Sequence, residues 1–416
     1  MKCEIISVGS ELTGGQNLDT NSQWLSQRLA EVGIGVGWHT TIADDLGANI
    51  DAFRIASRRA KLVLITGGLG PTQDDLTREA LARAAGVELV FDPESLAHIE
   101  GLFTRRGRPM PDRNRVQAYF PATAEPIRND HGTAPGVWMS LGDAHFAAMP
   151  GVPSEMFAMF REQVLPRLRS LGLGGGVLIQ RKINTFGAGE SAVEEKLFDI
   201  TRRGHVPEVG ITASDAVIAL RIFGRGATEG EALAQIEPVE RAIRDRLGDL
   251  VFGAEADDLQ HAVAALLAGK CLTLSVAESL TAGLVCDRLA GVPGASAWLM
   301  GGITAYADRV KVEQLGVPQV LLDQYGAVSA EVAEAMAVGV RARFGTDFGL
   351  STTGLAGPDG DGSGKPVGLV FVGLAWDGGS ETATVNWMGT RQEIRSRTAR
   401  LALNKLRLHL AGELGA

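Results

Sequence analysis

Strand-like apolar runs alternate with helix-spaced segments in the first third of the chain, and this rhythm restricts the fold more than any other feature. Cys3–Val8, Ile34–Ile42 and Lys61–Thr66 read as strands, while Asn21–Val32, Ala48–Arg59 and Leu76–Ala85 carry apolar residues at helical spacing. Strands separated by helices run parallel, so the pattern predicts a mostly parallel sheet covered by helices on both faces. In such folds the ligand crevice lies beyond the carboxyl ends of the strands. The rhythm returns later, with strands over Leu272–Val276, Leu299–Tyr306, Phe348–Thr352, Gly368–Trp376 and Thr382–Trp387. Helices are expected there over Leu280–Leu289, Ser329–Phe344 and Arg391–Leu410. Between the two stretches lie a glycine-rich break at Gly172–Gly176, two strand-like segments (Val177–Phe186, Ala216–Phe223) and two helical ones (Ser191–Thr201, Glu229–Leu247). The expected organisation is α/β: two three-layer domains, 1–171 and 257–416, joined by a small α+β domain over 177–254.

Apolar residues make up 45% of the 416, enough for the cores of two or three domains. A formal net charge of −9 opposes non-specific binding to nucleic acid or to an anionic membrane. No apolar run approaches the ~20 residues of a membrane-spanning helix, and Met1-Lys2-Cys3-Glu4 has no signal-peptide pattern. Cys3, Cys271 and Cys286 show no C-x-x-C spacing. A reduced, cytoplasmic protein without disulfides or structural zinc is expected.

Three strand ends in the first third carry polar loops: Ser10-Glu11, Asp44-Asp45 and Gly67-Gly68-Leu69-Gly70-Pro71-Thr72-Gln73-Asp74-Asp75. Parallel strands bring all three to one sheet edge. Glycines let backbone N–H groups approach phosphate oxygens, and a helix N-terminus adds a favourable dipole. Carboxylates beside such a cradle suit Mg²⁺ or another hard divalent ion. Asp74 or Asp75 is alternatively a plain cap for the following helix. The basic run Arg105-Arg106-Gly107-Arg108 is either a solvated face or an anion-binding loop over the crevice. Pro150–Glu155 is expected to bring Glu155 to the same edge.

Near the C-terminus, Ala277-Glu278-Ser279-Leu280-Thr281-Ala282-Gly283 follows an apolar strand, with Tyr306 and Lys311 downstream. A serine on a strand-to-helix turn sits near free N–H groups and the positive helix end, which suits a nucleophile with a developing oxyanion. Only His261 and His409 occur in this region, so a Ser-His-Asp triad is disfavoured. Lysine is scarce where arginine is the default cation, which mildly favours Lys311 as a titrating group. Amide hydrolysis needs a nucleophile, a base, an oxyanion hole and an acid for the leaving amine. Ser279 would attack. Lys311, discharged by burial or a cationic neighbour, would act as base or polarise Tyr306 to do so. Thr281 and nearby N–H groups would hold the oxyanion. The competing readings are plain ones: Ser279 as an N-cap, Tyr306 as a strand residue, Lys311 as a solvated helix residue.

The glycine loop Gly67–Asp75, Gly132–Gly136 and Pro150–Glu155 resemble the molybdopterin-binding-like domain of the CinA (competence/damage-inducible) family. Ala277-Glu278-Ser279, Gly301–Tyr306, Lys311 and Thr353–Pro358 resemble that family's nicotinamide-nucleotide amidase domain, whose nucleophile, tyrosine and lysine fall on Ser279, Tyr306 and Lys311. One departure is Ala282, where the family commonly has glycine; its methyl is expected to narrow the pocket or alter an N–H donor. The resemblance implies deamidation of nicotinamide mononucleotide to nicotinate mononucleotide, without a cofactor. Gly283, Gly302, Thr353, Gly354 and Gly357 are the candidate substrate contacts, with Lys365 and Arg391 as candidate cations for the nucleotide phosphate, Arg391 being otherwise a plain surface residue. It also implies metal-dependent cleavage of the ADP-ribose pyrophosphate. Ser10, Gly67, Gly68, Gly70, Thr72, Arg105, Gly151 and Glu155 are the candidate ADP-ribose contacts, and Glu11, Asp44, Asp74 and Asp75 the candidate metal ligands. Asn184–Ser191 resembles the segment that opens a small KH-like or ferredoxin-like module, for which a spacer or dimer-forming role is expected; its Gly187–Ser191 loop is a candidate to lean over either site. Small nucleotides are the expected partners, without membrane or nucleic acid, on a homodimer. The rival reading is a non-catalytic nucleotide or molybdopterin binder acting with DNA-uptake or recombination partners.

Overall fold

The computed structural model describes residues 2–412, which divide into two compact units. One runs to Ile179 and includes Gly224–Ala234; the other comprises Gln180–Phe223 and the chain from Gln235 onward.

The first unit is built on a six-stranded sheet in the order Gly35–Ile42, Lys2–Val8, Leu62–Thr66, Ala144–Met149, Gly136–Leu141, Glu125–Ile127. The first four strands are parallel; the last two continue antiparallel. Ser7 lies opposite Thr41 and Thr66, and Thr66 opposite Met149, so four strands end along one edge. Helices cover both faces. Ile5, Leu62 and Leu64 pack with Leu25, Leu29 and Met156 on one side. Ile6, Val63 and Ile65 pack with Phe53, Leu81 and Phe146 on the other. Burial of both faces explains why these strands read as continuous apolar runs and not as alternating ones.

The second unit holds two sheets. Val177–Phe186, Glu208–Ser214, Val217–Gly226 and Val251–Ala254, with helices Glu190–Thr201 and Glu229–Leu247, follow a β-α-β-β-α-β path, and the sheet order is second, third, first, fourth: Glu208–Ser214, Val217–Gly226, Val177–Phe186, Val251–Ala254. That is the ferredoxin-like connection. The five-stranded sheet has the order Leu299–Thr304, Leu274–Glu278, Phe348–Gly354, Leu369–Trp376, Gly379–Asn386, with the first three strands parallel. Glu278 pairs with Thr304 and Thr352, so these strands also share a carboxyl edge. Phe186 and Phe252 of the small module lie in one core with Leu259, Val276, Leu403 and Leu406. The module is therefore packed onto the C-terminal sheet domain through a shared core.

Candidate functional site

A cavity of about 290 Å³ opens at the carboxyl edge of the five-stranded sheet, and Ser279, Tyr306 and Lys311 all line it. Ser279 is half-buried directly after its strand, its N–H donating to the Thr352 carbonyl at 2.9 Å. Lys311, on the helix Asp308–Leu315, is 1% exposed. Its ammonium donates to the Tyr306 carbonyl at 3.2 Å and to Asp308 Oδ1 at 3.0 Å. Of the two expectations for Lys311, burial or a cationic neighbour, the structure has the burial; the charged neighbour is a carboxylate, one helical turn away on the same face. Arg391 donates to Tyr306 Oη at 2.8 Å and to the Gly357 carbonyl at 2.6 Å. Thr353, Gly354 and Gly357 also line the cavity, together with Asp359 and Asp361. Ser363 donates to Asp361 and holds its carboxyl below the usual range, so the rim stays anionic.

The turn carrying Ser279 differs from expectation. The helix begins at Leu284, not Leu280, because the Glu278 carboxylate occupies its N-terminus. Glu278 is 1% exposed and accepts from the N–H groups of Gly283, Val285 and Cys286 at 2.9, 3.1 and 2.9 Å. Those donors are therefore not an oxyanion hole. The N–H groups of Leu280 and Thr281, directly after the nucleophile, donate to no acceptor among the described residues. Arg395 clamps the same turn from outside, donating to the carbonyls of Leu280 at 3.0 Å and Thr281 at 2.8 Å. Nothing in the local sequence separates Arg395 from its neighbouring arginines.

Several expected contacts have other employment. The buried Thr281 hydroxyl pairs with that of Thr352 at 2.7 Å and is absent from the cavity lining. Gly283 caps the helix at φ 97°. Gly302 is small because Cys286 Sγ occupies the place of its missing Cβ, so it serves packing. Neither glycine lines the cavity. Ala282 takes the left-handed backbone a glycine favours (φ 51°), yet its side chain is exposed and does not narrow the cavity. Lys365 donates to the Tyr325 and Val328 carbonyls at 2.6 and 2.5 Å, which removes it as a phosphate cation. Burial and Glu278 push the Cys286 thiol up to about 12, as a core cysteine requires.

The first unit carries a second cavity, about 470 Å³, at its own carboxyl edge. Glu11, Asp44, Gly67, Gly68, Gly70, Asp74, Asp75, Gly151 and Glu155 line it. Ser10, Thr72 and Arg105 do not. Ser10 and Asp44 tie two loops together, Ser10 N–H donating to Asp44 Oδ2 at 2.8 Å and Asp44 N–H to Ser10 Oγ at 3.2 Å. Thr72 donates to Asp75 through both its N–H (2.8 Å) and its hydroxyl (2.6 Å), while Gly70 N–H donates to the other Asp75 oxygen at 2.7 Å. Asp75 thus closes its own loop and does not cap the helix, whose first residue is Thr77. Asp45 is the N-cap of Leu46–Arg59 and lies outside the lining. Arg105 sits exposed in the last turn of Pro93–Arg105. The cradle is smaller than its glycine count suggests, since Gly67 N–H also donates, to Met149 O at 3.0 Å. Arg78, buried beneath the loop, donates to the Leu69 and Gly70 carbonyls at 2.6 and 2.9 Å, and desolvation pushes it down to about 10.

Among the described residues, no three His, Cys, Asp or Glu side chains are grouped to hold a metal. Asp75 uses both oxygens in loop closure, Asp44 uses Oδ2, and Glu155 uses Oε2 in accepting from Asn129 at 2.8 Å. Glu11 and Asp74 have no hydrogen-bond donor to either carboxylate among the described residues. Two carboxylates suit Mg²⁺, which keeps several waters and completes its shell with substrate phosphates. No helix among the described residues is long and apolar enough to cross a membrane.

Family models match three consecutive parts of the chain. A probable molybdopterin binding domain covers residues 4–170, a damage-inducible protein CinA KH domain 180–253, and the CinA C-terminal domain 256–410. A CinA-like protein of Dictyoglomus thermophilum is 43% identical over 98% of both chains. A putative competence-damage inducible protein of Caldicellulosiruptor bescii is 40% identical, again over 98% of each. A solved structure of the protein CinA from Thermoplasma acidophilum is 33% identical over 40% of this chain and 96% of its own, with a TM-score of 0.37. Identity of 40 and 43% to these two relatives over 98% of the chain makes it a member of the CinA family.

Proposed function

We propose that the C-terminal cavity deamidates nicotinamide mononucleotide to nicotinate mononucleotide and ammonia. The observation that carries the reading is the convergence of Ser279, Tyr306 and a buried Lys311 on one cavity. Ser279 Oγ attacks the carboxamide carbon, and the oxyanion falls to the N–H groups of Leu280 and Thr281. Lys311, in its neutral form, takes the Ser279 proton directly or through the Tyr306 hydroxyl that lines the same cavity and returns it to the departing nitrogen, so no histidine is needed. Arg391 donates to Tyr306 Oη, which leaves the phenol's own hydrogen free for transfer. Ammonia leaves, and water then cleaves the ester on Ser279. The test is ammonia release from nicotinamide mononucleotide. The intact chain releases it and Ser279→Ala does not; equal release from both refutes the assignment.

For the first unit we propose binding and hydrolysis of ADP-ribose with a divalent ion. Gly68 and Gly151 line the crevice, and Glu11 and Asp74 are the residues that would hold the ion. When bound, such an ion neutralises charge on the pyrophosphate. Because its shell needs substrate oxygens, Mg²⁺ alone is expected to leave thermal stability unchanged, and Mg²⁺ with ADP-ribose to raise it. Stabilisation by Mg²⁺ alone contradicts this reading. A cytoplasmic homodimer belongs to the same proposal.

A further inference from the structure

The small module meets the C-terminal helix at the tip of one hairpin. Ser214 pairs with Val217, so Asp215 and Ala216 form a two-residue loop. Both have positive φ, 49° and 63°. Such loops favour Asn-Gly or Asp-Gly, and an alanine Cβ crowds the following carbonyl there. A strained backbone of this kind persists only where its surroundings dictate it. Here they do. Asp215 accepts from Ser396 Oγ at 2.5 Å and from Arg400, with Arg397 Nε at 3.8 Å. Asp258 holds Arg400 and Arg288, each at 3.2 Å, and Arg288 donates back to Ser396 at 2.9 Å. Ala216 and Val217 pack against the core beneath.

Ser396, Arg397 and Arg400 lie on the helix Arg391–Gly412, which also carries Arg391 and Arg395. Arg395 clamps the turn after Ser279, and Arg391 holds Tyr306 and Gly357. A helix is stiff over two turns, so whatever sets its rotation and axial position at Ser396 also sets Arg395. We infer that Asp215 is a positioning residue for the amide-cleaving cavity. Resting on the function proposed above, this makes the small module part of the amidase, acting through the helix that clamps the nucleophile turn.

The test uses the full chain with Asp215→Ala and Asp215→Asn, reading kcat and KM for ammonia release beside amide hydrogen exchange of Ser279–Gly283. Asp215→Ala is expected to lower kcat roughly tenfold with KM held within about twofold, and to speed exchange in the turn. Asp215→Asn, which keeps the size and one acceptor, recovers most of kcat. Should Asp215→Ala fail to fold, Ser396→Ala removes only the hydroxyl contact and is read in the same way. Wild-type kcat with unchanged exchange overturns the inference, as does a loss of kcat without faster exchange in the turn. If the intact chain releases no ammonia, the function fails instead, and exchange alone decides the positioning role.

Discussion

Replacing Glu278 tests how the nucleophile turn is built. Its carboxylate accepts three backbone N–H groups at 2.9, 3.1 and 2.9 Å while 1% exposed. In Glu278→Ala all three donors lose their acceptor. Unsatisfied buried groups cost about 1–3 kcal/mol each, and Gly283 and Cys286, being half-buried, recover part of that from water. Loss of an anion at a helix N-terminus adds about 0.5–1 kcal/mol. The local cost is therefore about 3–4 kcal/mol. At ~1.4 kcal/mol per factor of ten, amide exchange at Gly283, Val285 and Cys286 should quicken by roughly two to three powers of ten. Glu278→Gln keeps one acceptor oxygen but turns an NH₂ toward a backbone N–H, so an intermediate effect is expected. Peptide-resolved hydrogen exchange over 278–290 reads both variants. Exchange in Glu278→Ala within about threefold of the unmodified chain would falsify the assignment of Glu278 as keystone of the turn.

Gly302→Ala drives a methyl into Cys286 Sγ, and an overpacking cost of about 1–3 kcal/mol should appear in chemical denaturation; an unchanged midpoint contradicts its packing role. Ala282→Gly relieves a left-handed alanine, which is offset by greater freedom of the unfolded chain, so stability should move by less than about 1 kcal/mol, with ammonia release unchanged. Faster turnover in that variant would mean that the methyl does obstruct the cavity. Cys286 rises from 9.0 to about 12 on folding, so the unfolded chain ionises first. Its contribution is complete below pH 9 and is lost as pH climbs toward 12, visible as a falling denaturation midpoint. At about pH 8 an alkylating reagent should modify the exposed Cys271 and spare Cys286, and mass spectrometry separates the two. Arg78→Met leaves the Leu69 and Gly70 carbonyls and Asp75 without their cation and should cost about 3 kcal/mol, with weaker ADP-ribose binding.

The parallel strands were legible because burial on both faces writes them as continuous apolar runs, as in Cys3–Val8 and Leu62–Thr66. Glu208–Ser214 was not, being an edge strand with little apolar content and an exposed end. Ser279, Tyr306 and Lys311 were readable as a constellation because their order and spacing resemble the CinA family's, and one cavity gathers them. Function at the level of a single atom was less legible. Motif glycines such as Gly302 and Gly283 look like ligand contacts, yet they are small to admit Cys286 and to turn the chain. Asp44 and Asp75 look like metal ligands, yet backbone donors claim them first. Asp308, Glu278 and Arg395 acquire their roles from tertiary placement. Only Glu278 left a sequence signal, an acid buried at a strand end just ahead of a helix.

Ser279, as the proposed nucleophile, passes through an ester. Rapid-quench kinetics with nicotinamide mononucleotide read this directly, following ammonia and nicotinate mononucleotide separately in the first turnover. Provided that breakdown of the ester is the slower step, ammonia appears in a burst of about one per chain before nicotinate mononucleotide accumulates, and Ser279→Ala gives neither. Ammonia release by Ser279→Ala at the rate of the unmodified chain would contradict it.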